Sequence, residues 1–279
     1  MKIKKILKYL AIGIVCIFAL IGFFLTAGYF AVKFGLTNEK GIIDLQRDTF
    51  LGGKTASDFS DDASKVTDWQ TSQEWDVMQT AIRKDIDPIN RAANDAGIPA
   101  RLIVANLVAE QLRLFFTERE FYKQFFYPLK ILGSQTQFSW GVMGMKEDTA
   151  IKVEQYLKDP SSPFYPGAQY EHLLDFKTTN VENERFTRMT DQHDHYWSYL
   201  YAALFIKEIE AQWRSAGFPI DNRADILSTL FNIGFAHSNP NGNPQVGGAA
   251  ITVGAKTFSF GGIASDFYNS NLLTDVFPK

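Results

Sequence analysis

From Tyr9 to Val32 the chain carries no charged residue, and Ile, Leu, Val, Phe, Ala and Gly make up most of the run. As a helix rising 1.5 Å per residue it would cover about 36 Å, enough for a hydrocarbon core of roughly 30 Å with some tilt. Lys2, Lys4, Lys5 and Lys8 precede it, and a basic flank of this kind predicts a cytoplasmic N-terminus. The expected organisation is a cytoplasmic basic tail at 1–8, a single transmembrane anchor at 9–32, a juxtamembrane linker at 33–68 and a folded body at 69–279. That body would sit on the outer side of a cell membrane, periplasmic or extracellular. The competing reading is a cleaved signal peptide with Leu25-Thr26-Ala27 as its cleavage site, although such peptides usually have an apolar region of about 7–15 residues. Bulky Val15 ahead of Cys16 argues against a lipid-modified cysteine.

The two ends differ in charge. Residues 1–35 hold five lysines and no acid, which leaves 23 basic and 31 acidic residues for the remainder, a balance of −8. An acidic body lacks the broad positive surface that phosphate backbones need, so nucleic acid is not an expected partner. The proportions of 46% hydrophobic and 21% charged residues are those of a folded chain. Cys16 is the one cysteine, which excludes an intrachain disulfide framework and cysteine-based zinc sites. No internal repeat is visible.

Helix signals follow in series after residue 68. Thr71 with Glu74 three residues on is a capping-box pattern, opening a segment that runs toward Gly97 with a bend at Pro88. Pro99 opens a second helix reaching about Phe116. A third runs from near Lys146 to before Pro160, and a fourth from Tyr196 to Arg214 with Asp191 as its N-cap. A fifth begins near Asn222 and ends at Gly234. Ala250–Val253, Gly254 and Lys256–Phe260 read as a hairpin. Residues 33–68, with Gly52-Gly53 and an Asp/Ser cluster at 57–64, read as linker. The fold class expected is mainly α with a small C-terminal β-hairpin.

The second helix carries the chemistry. Its segment Ala100 to Glu110 is apolar over most of its circumference, which predicts a buried central helix. On a 100° wheel Ile103, Leu107, Glu110 and Leu114 fall within about 60° of one another, so Glu110 lies on an apolar stripe. Burial there would favour the protonated acid, the state that donates a proton to a departing glycosidic oxygen. The alternative is a helix-end glutamate that reaches solvent or pairs with Arg113.

Two later segments extend the pattern. Ser139-Trp140-Gly141-Val142-Met143-Gly144 leads into a helix, and Leu230-Phe231-Asn232-Ile233-Gly234 ends one. Taken in order with Glu110, these resemble the lytic transglycosylase and goose-type lysozyme family. In that family a helix ends in the catalytic Glu, a Gly-Leu-Met-Gln turn opens the next helix, and a Tyr-Asn-Ala-Gly motif closes a later one. The resemblance spans roughly 97–240 and implies a lysozyme-like fold. It departs at Gln111 (usually Ser), Gly144 (usually Gln) and Phe231 (usually Tyr). The span of about 30 residues from Glu110 to Gly141 is also wider than usual, so Phe115 to Leu132 reads as an insertion.

What the resemblance implies is cleavage of peptidoglycan between N-acetylmuramic acid and N-acetylglucosamine. Glu110 would protonate the bridging oxygen and, once ionised, take the proton of the 6-hydroxyl as a 1,6-anhydro ring closes. Gln111, Ser139, Gly141, Met143, Gly144, Phe231 and Asn232 would contact the glycan: Met143 packing under a sugar, Phe231 forming an apolar wall near Glu110, and Asn232 binding an acetamido group or capping its helix. Goose-type members add a second acid that positions water, for which Glu118, Glu120 and Asp148 are the local candidates. A catalytically inactive relative that binds glycan or scaffolds a cell-envelope assembly is the alternative. The aromatic run Phe115, Phe116, Phe121, Tyr122, Phe125, Phe126 and Tyr127 would pack, or stack on sugar rings. No cofactor or metal is expected. His193 and His195 stand two apart at a helix start, where side chains do not converge on a metal, and they read as a capped, solvated segment. His237-Ser238 lacks a nucleophile-elbow context, and no Gly-rich phosphate loop occurs.

Overall fold

The computed structural model describes residues 13, 14, 16, 18–24, 26–27, 41–43, 49–52, 68–116 and 138–279. The chain divides into two units, one from 1–41 with 119–138 and the other from 42–118 with 139–279. In the first, the described residues between 13 and 27 are helical, and Ile14, Phe18, Leu20, Ile21, Phe23 and Phe24 are exposed. The other positions of the expected anchor at 9–32, the tail at 1–8 and most of the linker at 33–68 lie outside the described residues. Among the described residues no helix is long and apolar enough to cross a membrane.

The second unit is mainly helical. Its helices are α1 (Gln73–Lys84), α2 (Ile86–Ala96), α3 (Ala100–Phe116), α4 (Glu147–Tyr156), α5 (Val181–Thr190), α6 (Tyr196–Ser215), α7 (Ala224–Ile233) and α8 (Phe260–Asn269). Strands β1 (Gly41–Ile43), β2 (Phe138–Trp140) and β3 (Met145–Lys146) form one sheet in that order, with Ser139 opposite Lys146 and Trp140 opposite Met145. Strands β4 (Ala250–Val253) and β5 (Lys256–Ser259) make the hairpin expected near the C-terminus.

Local chemistry sets the helix ends. Ser72, not Thr71, caps α1, its hydroxyl accepting from the Trp75 N–H at 3.1 Å. The expected bend at Pro88 is instead a break at Asp85, three residues earlier. Pro88 then falls in the first turn of α2, where its missing N–H costs nothing. Asp191 caps no helix start: it ends α5, and the Tyr196 N–H of α6 is met by Asp194 at 3.0 Å. The sequence reading gave neither α5 nor α8.

Helix α3 sits at the centre, against α1, α2, α6, α7, α8 and β4. Every side chain from Arg101 to Phe115 is buried, as expected from an apolar circumference. Arg101, 1% exposed, has no carboxylate partner among the described residues. Its guanidinium instead donates to the carbonyls of Phe267, Tyr268, Ser270, Leu272 and Phe277 at 2.7–2.9 Å. These are acceptors at the C-terminal end of α8 and in the tail beyond it, where the helix dipole is negative. Burial lowers the arginine's pKa from its usual value.

Replacing Arg101 by Met takes their side-chain donor from the carbonyls of Tyr268, Ser270, Leu272 and Phe277, while Phe267 keeps the Ser270 N–H and hydroxyl. The expected loss is about 3–5 kcal/mol of unfolding free energy in urea titration. Arg101→Lys, with one compact ammonium in place of a fork, should recover only part of it.

Candidate active site

Glu110 lies near the C-terminal end of α3 and is 3% exposed. One turn on, Arg113 is equally buried. Residues three apart share a helix face, and the guanidinium closes on the carboxylate as a fork: Nε donates to Oε2 at 3.0 Å and Nη2 to Oε1. The sequence reading set an apolar stripe against pairing with Arg113. Both are present, a charged pair enclosed in apolar packing.

The β2–β3 turn closes over this carboxylate. Gly141 and Gly144 have φ of 68° and 60°, and the Gly144 N–H donates to the Gly141 carbonyl at 3.1 Å. That turn brings the Gly144 Cα against Glu110. A methyl group there would come within 2.8 Å of the Glu110 Cδ and 3.2 Å of its Cγ. Only glycine satisfies both the left-handed backbone and the space. Gln111 Nε2 donates to the Val142 carbonyl at 2.6 Å, and the Met143 N–H donates to Ser198 Oγ on α6 at 3.3 Å. Two helices thus fix a turn that is 31 residues further along the chain than Gln111.

Of the residues named from sequence, the structure brings together Glu110, Gln111, Gly141, Met143 and Gly144. Met143 is a core side chain, 1% exposed. Ser139 is buried beside the turn, and its hydroxyl has no hydrogen-bond partner among the described residues. Phe231 and Asn232 have described partners of their own. Phe231 packs edge-on against Phe205 at 5.4 Å and near Phe260 at 6.3 Å. Asn232 neither caps α7 nor bonds to Glu110; its Oδ1 accepts from the Ala249 N–H at 2.8 Å and ties down the approach to β4. Asp148 is exposed, while Glu118 and Glu120 lie outside the described residues, as do Phe121, Tyr122, Phe125, Phe126 and Tyr127. Phe115 is buried.

Other buried polar groups went unread in the sequence. His195, taken there as solvated, is buried: its Nδ1 meets Asp85 Oδ2 at 2.5 Å, and the same oxygen accepts from the Tyr199 hydroxyl at 2.6 Å. His193 is exposed, as expected. Glu147, first residue of α4, has its pKa raised by burial against the opposing pull of Arg185, 3.5 Å away. Glu208 on α6 is fully enclosed, with no hydrogen-bond partner on either oxygen among the described residues, and desolvation pushes its pKa well above the carboxylate range. The sequence signal for Glu208 was its position four residues after Leu204, following the apolar run from Tyr199 to Ile206. Among the described residues no cluster of His, Cys, Asp and Glu is arranged to hold a metal.

No family model, curated protein or solved structure matches this chain.

Two outcomes follow. Gly144→Ala should cost at least about 2 kcal/mol of stability, from left-handed strain plus displacement of the Glu110 carboxyl. Gly217→Ala, at φ 83° with open space around it, should show the strain alone, about 1 kcal/mol. For Glu208, the unfolded chain releases its proton near pH 4.5 while the folded state keeps it. Stability should therefore fall as pH rises above about 4.5 toward the folded-state value, and Glu208→Gln should flatten that slope in denaturation curves taken across pH.

Proposed function

We propose that this protein is a membrane-anchored peptidoglycan-cleaving enzyme of lysozyme-like fold, with Glu110 as its general acid and base. The observation that carries the reading is the seating of Gly144 on the Glu110 carboxylate. Two segments, singled out separately in the sequence, meet at the one carboxylate whose chemistry the reaction needs. The substrate is the glycan strand of the cell wall, cut between N-acetylmuramic acid and N-acetylglucosamine. The Glu110 proton moves to the bridging oxygen as the C1–O bond breaks. The resulting carboxylate takes the proton of the muramic 6-hydroxyl as O6 bonds to C1, giving a 1,6-anhydro end. A single carboxylate serves both steps, so the 5–9.5 Å carboxylate pair of ordinary glycosidases is not required. The anchor would keep this acidic body at the outer face of the membrane. It is supported by the uncharged run from Tyr9 to Val32, the lysines before it and the exposed apolar side chains of the helical residues between 13 and 27.

A second reading is a catalytically silent relative that binds glycan or scaffolds a cell-envelope assembly. The Arg113 fork favours it, because a guanidinium that bonds both oxygens favours the carboxylate over the carboxylic acid, and a general acid needs the proton.

Incubation of the full chain, in detergent micelles, with purified sacculi separates the two. Mass spectrometry should find released fragments ending in 1,6-anhydromuramic acid, and Glu110→Gln should abolish release while circular dichroism shows the chain still folded, at a thermal midpoint lowered by the loss of Arg113's buried counter-charge. Fragments with reducing ends would indicate hydrolysis. Binding to sacculi without release would establish the silent reading.

A further inference from the structure

We infer that Arg113 is a positioning residue for the proposed reaction: it is the built-in counter-ion of the Glu110 carboxylate and tunes how readily that group gives up and recovers its proton. The inference rests on Glu110 acting as acid and base. Both side chains are buried, the guanidinium reaches both carboxylate oxygens, and the carboxyl occupies the space that a side chain at position 144 would fill.

A pair held this way has a defined place in the reaction. When the Glu110 proton passes to the bridging oxygen, negative charge appears on a carboxylate that Arg113 already faces. Little reorganisation is then needed, and stabilisation grows as the charge forms. When the 6-hydroxyl proton returns, the carboxyl becomes neutral again and the fork relaxes to an ordinary hydrogen bond. No atom is left over, and Arg113 keeps its own proton throughout.

Among the described residues, several charged groups on the elements around α3 have other partners. Glu147, which follows the turn, points to Arg185; Arg83 pairs with Asp275, Arg91 with Asp194, Lys207 with Glu210, and Arg223 with Asp225. Asp266 on α8 lies by Asp68 and Trp69, and Glu208 on α6 lies by Tyr156.

The test compares the full-length parent, Arg113→Met, Arg113→Lys and Glu110→Gln. The first readout is fragment release from sacculi across pH. The second is the carbon-13 resonance of the Glu110 side-chain carboxyl, assigned by its loss in Glu110→Gln. Removing the cation should lower kcat about 100-fold with little change in KM, and shift the alkaline limb upward by about 1–2 pH units. The carboxyl resonance should titrate upward by the same interval, and Arg113→Lys should recover part of each effect. A merely structural arginine would lower the thermal midpoint and leave both pH profiles in place, which would overturn the inference. An inactive parent would sink the proposed function, whereas the resonance would still report whether Arg113 governs the Glu110 proton.

Discussion

Enclosure of α3 is the constraint on which the rest of the second unit depends. A helix with no wet face has no solvent to satisfy its charged side chains, so each needs a partner in the protein. Arg101, at one end, finds five main-chain carbonyls of α8 and the tail beyond it. Arg113 and Glu110, at the other, find each other. The first arrangement docks the C-terminal segment against the helix that begins at Ala100. The second creates a buried, charged centre beneath the β2–β3 turn. Stability and candidate chemistry thus come from the same requirement applied to two ends of one helix.

The turn over Glu110 shows how narrow the tolerance is. Gly144 is needed twice, for its backbone angle and for the space its missing side chain leaves to the carboxylate. Gln111 and Ser198 hold the neighbouring peptide groups, so the turn is fixed from α3 and α6 together. A similar close approach joins α7 and α8, where a Cβ on Gly261 would come within 2.7 Å of the Asp225 carbonyl. Such contacts specify one arrangement of elements, because no other residue fits.

Much of the helical framework was legible from the chain because apolar periodicity and capping residues act over a few positions. Helix α3 was the clearest, and its stripe placed Glu110 inside. Helix α5 escaped because its buried side are Arg185, Arg188 and Met189. Arg185 reaches Glu154 on α4, and Arg188 reaches the carbonyls of Leu174 and Asp175. No hydrophobic pattern announces a helix held by such bonds. Helix α8 escaped because Gly261 and Gly262 weaken its intrinsic propensity, which contact with α7 and the Ser259 cap offset. His195 looked solvated beside charged neighbours, yet a partner 110 residues away in the chain, Asp85, draws it inside.

The sequence by itself determined the acidic body, the uncharged run near the N-terminus, the buried central helix and the carboxylate near its C-terminal end. These follow from composition and from interactions between near neighbours. Only the tertiary structure decided that Arg113 and the apolar stripe hold Glu110 together, and that Gly144 lies on its carboxylate while Asn232 serves a loop. Those choices depend on which surfaces meet when helices pack. A buried polar group takes whichever partner the packing brings within about 3 Å, and no local pattern encodes that partner.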